Sequence, residues 1–171
     1  MNPMKNLEVE KLTLNIGSGK SQDRLEKGVK LLKIITGVPP VKTITKKRIP
    51  GWALRPGLPI GAKITIRKGK ASELIAALLK AKDSVLSNSN FDAEGNVSFG
   101  IHEYIDVPTV KYDPEIGIMG FQVCITIKRK GFRIKNRKEK RRSIPKRHRV
   151  TKEESKKFME SSFGVKIKEE E

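Results

Sequence analysis

Residues 8–16, EVEKLTLNI, put Leu12, Leu14 and Ile16 on one side of an extended chain and Lys11, Thr13 and Asn15 on the other. This period of two constrains the fold most: a strand apolar on one side only needs one covering layer, whereas a strand buried on both faces is apolar throughout. The alternation returns at 41–47 (VKTITKK), 62–68 (AKITIRK), 96–102 (NVSFGIH) and 121–128 (FQVCITIK). Between strands the period lengthens. Leu25, Val29, Leu32 and Ile35 form a helical stripe over 21–36, with Ser21 as cap, Gly37 as stop and Pro39-Pro40 barring continuation. A second helix is expected over 72–86, capped by Ser72, with Leu74, Ile75, Leu78, Leu79 and Val85 or Leu86 inward. Gly95-Asn96 marks a turn within 91–96, and Thr151 with Glu154 forms a capping box for a short helix over 151–163 carrying Phe158, Met159 and Phe163.

The order of these elements predicts an α+β fold of two layers, with helices on one face of a largely antiparallel sheet and the other face open. A length of 171 residues and 36% apolar content support one modest core, hence a single domain over 1–171 with an appended arm. No apolar run approaches the ~18–20 residues of a membrane span, and no signal-peptide core follows Met1. Cys124, the single cysteine, leaves no intrachain disulfide and suits a reducing cytosol.

Charge is segmented along the chain. Residues 1–83 hold 18 basic and 6 acidic side chains, 84–127 hold Lys111 against six acids, and 128–149 hold 13 basic residues against Glu139. The whole carries +18, so a polyanion is the expected partner. The block KRKGFRIKNRKEKRRSIPKRHR at 128–149 is expected to be an extended arm or long loop, because like charges so dense repel. It is either a solvated run or localisation signal, or a set of phosphate contacts; Phe132 and Ile134 interrupt it and suit an anchor to the body.

The polar sides of the strands present Lys11, Thr13, Asn15, Thr43, Thr45, Lys63, Thr65, Arg67, Gln122 and Thr126, with no carboxylate among them. A solvated face normally mixes both signs. Such a face suits phosphates and 2′-hydroxyls, and its lack of aromatics argues against base stacking there. The loop at 48–61, RIPGWALRPGLPIG, is stiffened by three prolines and three glycines around Trp52 and Arg55. Either it projects both side chains for recognition, or Trp52 folds back onto the core.

Other motifs lead nowhere. Gly17-Ser18-Gly19-Lys20-Ser21 sits between strand and helix, but Leu14 stands where a phosphate-cradling loop needs glycine, which argues against a nucleotide-hydrolysing enzyme. His102, His148 and Cys124 are too dispersed for a zinc set, and no catalytic constellation is visible.

The stretches LNIGSGKS (14–21), ITG (35–37), KKRIPGWALRPGLPIGAKITIR (46–67), FDAEGNVSFGI (91–101) and YDPEIGIMGFQV (112–123) occur in order. Together they resemble the universal 5S-rRNA-binding L-five family of the large ribosomal subunit, over about residues 7–127 and again through the final helix. The basic insertion resembles the archaeal and eukaryotic branch. Val38 stands where bacterial members carry glutamine.

The resemblance implies a cytoplasmic, non-enzymatic constituent of the large subunit's central protuberance, without cofactor or metal. It implies 5S rRNA contacts from Asn15 in the N-x-G-x-G turn, Thr43 and Thr65, and the acid-free face with the glycine turn adds Lys11, Thr13, Gly17, Lys20, Thr45, Lys63 and Arg67 to the expected set. Arg48, Trp52, Arg55 and Gly57 would reach peptidyl-site tRNA. The acidic segment at about 103–119, with Asp106, Asp113 and Glu115, would meet a small-subunit head protein. Neighbouring 5S-binding ribosomal proteins are further implied partners. The arm, with Lys128, Arg129, Lys130, Arg133, Arg137, Arg141, Arg142 and Arg147, is left to large-subunit rRNA or tRNA.

Overall fold

The computed structural model describes residues 2–67 and 69–168. In chain order the elements are β1 (Leu7–Gly17), α1 (Gln22–Thr36), β2 (Val41–Ile44), β3 (Pro59–Ile66), α2 (Gly69–Lys80) and β4 (Val85–Ser87). They continue with β5 (Val97–Ile101), β6 (Phe121–Arg129), α3 (Arg133–Asn136), α4 (Lys152–Phe163) and β7 (Lys166–Lys168). Five strands form one antiparallel sheet in the order β2-β3-β1-β6-β5, with β1 at its centre. Helix α1 packs over β3 and β1, and α2 over β1. The expected α+β fold, helices on one face of an antiparallel sheet, is thus the one observed.

The apolar sides of the strands meet the helices as their alternation requires. Leu12, Leu14 and Ile16 of β1, Ile64 and Ile66 of β3, and Val123, Ile125 and Ile127 of β6 are buried with Leu25, Leu31, Leu32, Ile75, Leu78 and Leu79. Ser21 accepts from the Arg24 amide at 3.4 Å, and Gly37 ends α1 in the left-handed conformation. Gly28 lets α1 approach β1 closely: a Cβ there would lie 3.1 Å from Ile16 Cγ2.

The alternation of β1 is not clean, however. The pairing to β6 shifts between Val9 and Lys11, so Glu10 is an extra residue. This bulge changes the phase of the strand, and Leu7 and Val9 pack on the same core as Leu12 and Leu14.

Four boundaries differ more. The second helix runs Gly69–Lys80, so Ser72 lies inside it and is not its cap. Asp83 and Ser84 both have φ of 55°, which breaks the helical path before Val85. Leu86 is still buried, but from a strand: β4 pairs in parallel with β7, a strand not legible in advance because three residues, Lys166–Lys168, carry too short a pattern. The second strand stops at Ile44 instead of 47, and the third begins at Pro59; Lys68, the expected end of the third, lies outside the described residues.

The C-terminal helix begins with the expected capping box, Thr151 accepting from the Glu154 amide and Glu154 from the Thr151 amide. It is held to the turn before β5, where the buried Ser155 hydroxyl donates to the Gly95 carbonyl at 2.8 Å. Gly95 has φ of 76° and faces Val150 so closely that a Cβ would meet Cγ1 at 2.6 Å, so the Asp92–Asn96 turn requires glycine twice over.

Candidate nucleic-acid interface

The register of the sheet fixes which side chains share its uncovered face. One row runs Val41, Lys63, Asn15, Gln122, Gly100, and the next runs Thr65, Thr13, Cys124, Ser98. At one end Thr43, Gly61 and Gly17 form a row with little side-chain bulk, and at the other Lys11 pairs with Thr126 and Glu8 with Lys128. Neighbouring strands lie about 4.8 Å apart, so Lys63, Asn15 and Gln122 offer donors along a line of roughly 10 Å. Arg67 is exposed just past β3, and Lys20 is exposed in the turn after β1. The structure therefore brings together Lys11, Thr13, Asn15, Gly17, Thr43, Lys63 and Thr65.

Thr45 departs from the expected set. The pairing of β2 to β3 shifts between Thr43 and Ile44, which turns Thr45 inward; it is only 7% exposed, and its hydroxyl has no partner among the described residues. The expectation of a carboxylate-free face also needs correction. The β1 bulge brings Glu8 onto it, 3.2 Å from Lys128. Glu10, Asp92 and Glu94 line the hollow where the face meets the basic segment, together with Lys11, Thr126 and Lys135. Acid-free character belongs to the half around Lys63, Asn15 and Gln122.

The turn after β1 is no phosphate cradle. The Ser18 amide, which would have to face a phosphate, donates to the Ile60 carbonyl at 2.9 Å. Cys124 sits half-buried on the open face, where burial pushes its thiol upward and away from nucleophilic character.

The loop between β2 and β3 is a tight excursion. Thr45 donates its amide to Leu58 and accepts from Gly57, each at 2.9 Å, and Ile49 pairs with Leu54 inside it. Ala53 (φ 53°) and Gly57 (φ 86°) turn the chain. Within it Leu54 is buried, whereas Trp52 is 71% exposed, so Trp52 does not fold back onto the core. Arg48, Arg55 and Gly57 are exposed beside it.

Of the two expected forms, the basic segment takes that of a long loop folded back on itself, not of an extended arm. After β6 the chain makes the short helix α3, then returns through Ile144, which is buried, to a 3-10 turn at Lys146–His148. His148 packs on Phe132 with ring centroids 5.9 Å apart, and its Nε2 lies 3.0 Å from the Lys130 carbonyl. The Arg142 amide donates to Ile134 at 3.2 Å. Repulsion among the cations is relieved because their heads point outward: Lys130, Arg133, Arg137, Arg141, Arg142 and Arg147 are exposed while Phe132 packs on the core and Ile144 is buried.

Arg129 is the exception. Continuing the inward parity of Ile125 and Ile127, it is 6% exposed and pairs with Glu154 in the first turn of α4. That parity was legible in the sequence; grouping Arg129 with the arm obscured it. Burial raises the Glu154 carboxyl, but the Thr151 amide and the Arg129 guanidinium outweigh it and hold the group below its ordinary value.

The acidic segment is partly engaged within the chain. Lys30 of α1 lies 2.9 Å from Asp113 and also pairs with Glu115. Hydrogen bonds to Glu115 and then Asp113 push the Lys30 ammonium up to about 12, and the same ammonium, helped by the Glu115 amide, holds the Asp113 carboxyl low. Tyr104, fully buried, accepts from the Asp113 amide at 2.9 Å and fixes the loop from the other side. Asp106 remains exposed, near the exposed Ile105 and Tyr112.

A one-sided sheet with a donor-rich open face, a stiff projecting loop and a folded basic segment define an α+β protein whose surfaces are suited to a polyanion. The comparisons then specify it. The family model described as "Ribosomal protein L5" matches residues 2–55, and the model of the same ribosomal family's C-terminus matches residues 59–158. The "Large ribosomal subunit protein uL5" of Sulfurisphaera tokodaii is 48% identical over 99% of this chain and 96% of its own length. That of Nanoarchaeum equitans is 45% identical over 96% and 98%, and that of Methanococcus maripaludis strain C6 is 43% identical over 96% and 93%. The chain belongs to the ribosomal protein L5 family, whose members are structural and non-enzymatic.

Proposed function

We propose that this chain is a structural constituent of the large ribosomal subunit that holds 5S rRNA against the open face of its sheet. The carrying observation is the aligned, carboxylate-free patch of Lys63, Asn15, Gln122, Thr65 and Thr13. Threonine and amide side chains donate to phosphates and 2′-hydroxyls without requiring a base sequence, and Lys63 with Arg67 supplies the charge. Gly17, exposed at one end of the patch with open space where a Cβ would stand, allows a close backbone approach.

The remaining surfaces divide the other partners. Trp52, Arg48 and Arg55 on the stiff loop reach toward peptidyl-site tRNA, and the exposed arm cations neutralise large-subunit rRNA. Asp106 is left to a basic small-subunit head protein, since Lys30 already engages Asp113 and Glu115. Lys63→Glu combined with Arg67→Glu should abolish 5S rRNA retention in a filter assay at about 150 mM salt while circular dichroism stays unchanged. Retention by the folded double variant would refute the assignment of 5S rRNA to this face.

A further inference from the structure

Between the basic segment and the body lies a cleft of about 410 Å³. Phe132, Ile144 and Val150 give it an apolar lining, and Lys135, Arg141 and Arg142 stand on its rim. Cavities of this size accept small planar ligands, and an apolar lining under three cations is the complement of a flat ring carrying an anion. The one carboxylate present, Glu94, lies 3.4 Å from Arg149, so its charge is offset by a neighbouring guanidinium. Lys135 and Arg142 have no side-chain partner among the described residues, and both are exposed. Phe132 and Lys135 also line the adjoining hollow on the open sheet face, so the cleft is continuous with that face through a hollow in which Lys11 and Lys135 stand against Glu10, Asp92 and Glu94.

The geometry points to a pocket for one unstacked RNA base, the ring lying against Phe132 and its flanking phosphates on Arg141, Arg142 and Lys135. This rests on the reading of the chain as an RNA binder and adds a base-holding site that the sheet face, lacking aromatics, does not offer. Phe132 lines the cleft, and His148 meets its ring tilted by 51° at 5.9 Å between centroids rather than stacked flat.

The test uses the full chain and a strand of about ten ribose phosphates bearing one central 2-aminopurine, compared with the same strand wholly abasic. The base should tighten binding by roughly tenfold and change its fluorescence on binding, and Phe132→Leu, which keeps an apolar anchor for the basic segment but removes the ring, should abolish both the difference between the two strands and the fluorescence change. Arg142→Ala should weaken both strands alike. Equal affinity of the two strands for the wild-type chain, or a difference that survives Phe132→Leu, would overturn the site. So would 2-aminopurine riboside monophosphate binding as tightly as the strand, which marks a free-nucleotide pocket, or an oligoglutamate peptide that displaces the strand from the cleft. Loss of 5S rRNA binding altogether would take down the RNA-binding reading as well, whereas retained 5S binding with equal strand affinities removes only the cleft. The wild-type comparison needs no variant to fold.

Discussion

At the residue scale, Arg129 and Glu154 join the end of β6 to the C-terminal helix. Glu154→Gln leaves the guanidinium buried without a counter-charge and should cost about 1–3 kcal/mol in urea unfolding at neutral pH. Because the Glu154 carboxyl is held below its ordinary 4.5 in the folded chain, its contribution is complete above that value and is lost as pH falls through the depressed one. The acid limb of stability should therefore be shallower in Glu154→Gln than in the wild type, and identical limbs would show that the pair does not titrate with folding. Lys30 behaves oppositely. Raised to about 12, it contributes fully below its ordinary 10.5 and loses that contribution as pH rises through about 12. Its pairs are exposed, so Lys30→Met should speed amide exchange across 112–119 without moving the global unfolding midpoint.

Elements show how a loop divides its apolar side chains between core and surface. In the β2–β3 loop, Leu54 is buried and Trp52 is not, although tryptophan is the larger. The Ile49–Leu54 bridge and the positive φ of Ala53 decide this, since they turn position 54 inward and leave 52 at the tip. Leu54→Ala should destabilise by about 2–4 kcal/mol, whereas Trp52→Ala should stay within about 0.5 kcal/mol while weakening any ligand the loop meets. Chemical denaturation of the two variants checks the contrast. The basic segment follows the same logic: a hairpin of cations is stable because Phe132, Ile144 and His148 fasten it, not because the charges tolerate one another.

On the scale of the whole molecule, positive charge occupies two surfaces, the acid-free half of the open sheet face and the folded basic segment, with Glu10, Asp92 and Glu94 between them. Each exposed cation that meets a phosphate should contribute about one unit to the slope of log affinity against log salt. Replacing Lys138, Lys146 and Arg147 with glutamine should lower that slope for 5S or large-subunit rRNA by up to about three, with the fold intact because all three are exposed. An unchanged slope with both RNAs would mean that these side chains face solvent in the complex. Excising the segment is a poorer experiment, since Phe132 packs on the core of the body and Ile144 is buried.

Much of this architecture lies in local patterns. Period-two alternation specified three of the five strands of the main sheet to within a residue, and Ser21, Gly37 and the Thr151–Glu154 box specified helix ends, because each depends on residues within one or two turns. The family resemblance rests on the same local stretches. Long-range pairing decided the rest. A bulge at Glu10 and a register shift at Ile44 determine that Glu8 joins the open face and Thr45 leaves it, and neither is visible until a neighbouring strand supplies the register. The partners of Lys30 lie 83 and 85 positions away, and the strand that captures Leu86 comes from the chain's end. Sequence by itself determined which side chains alternate and where charge accumulates; only the tertiary structure decided which charges remain free, because neutralisation depends on distance in space rather than along the chain.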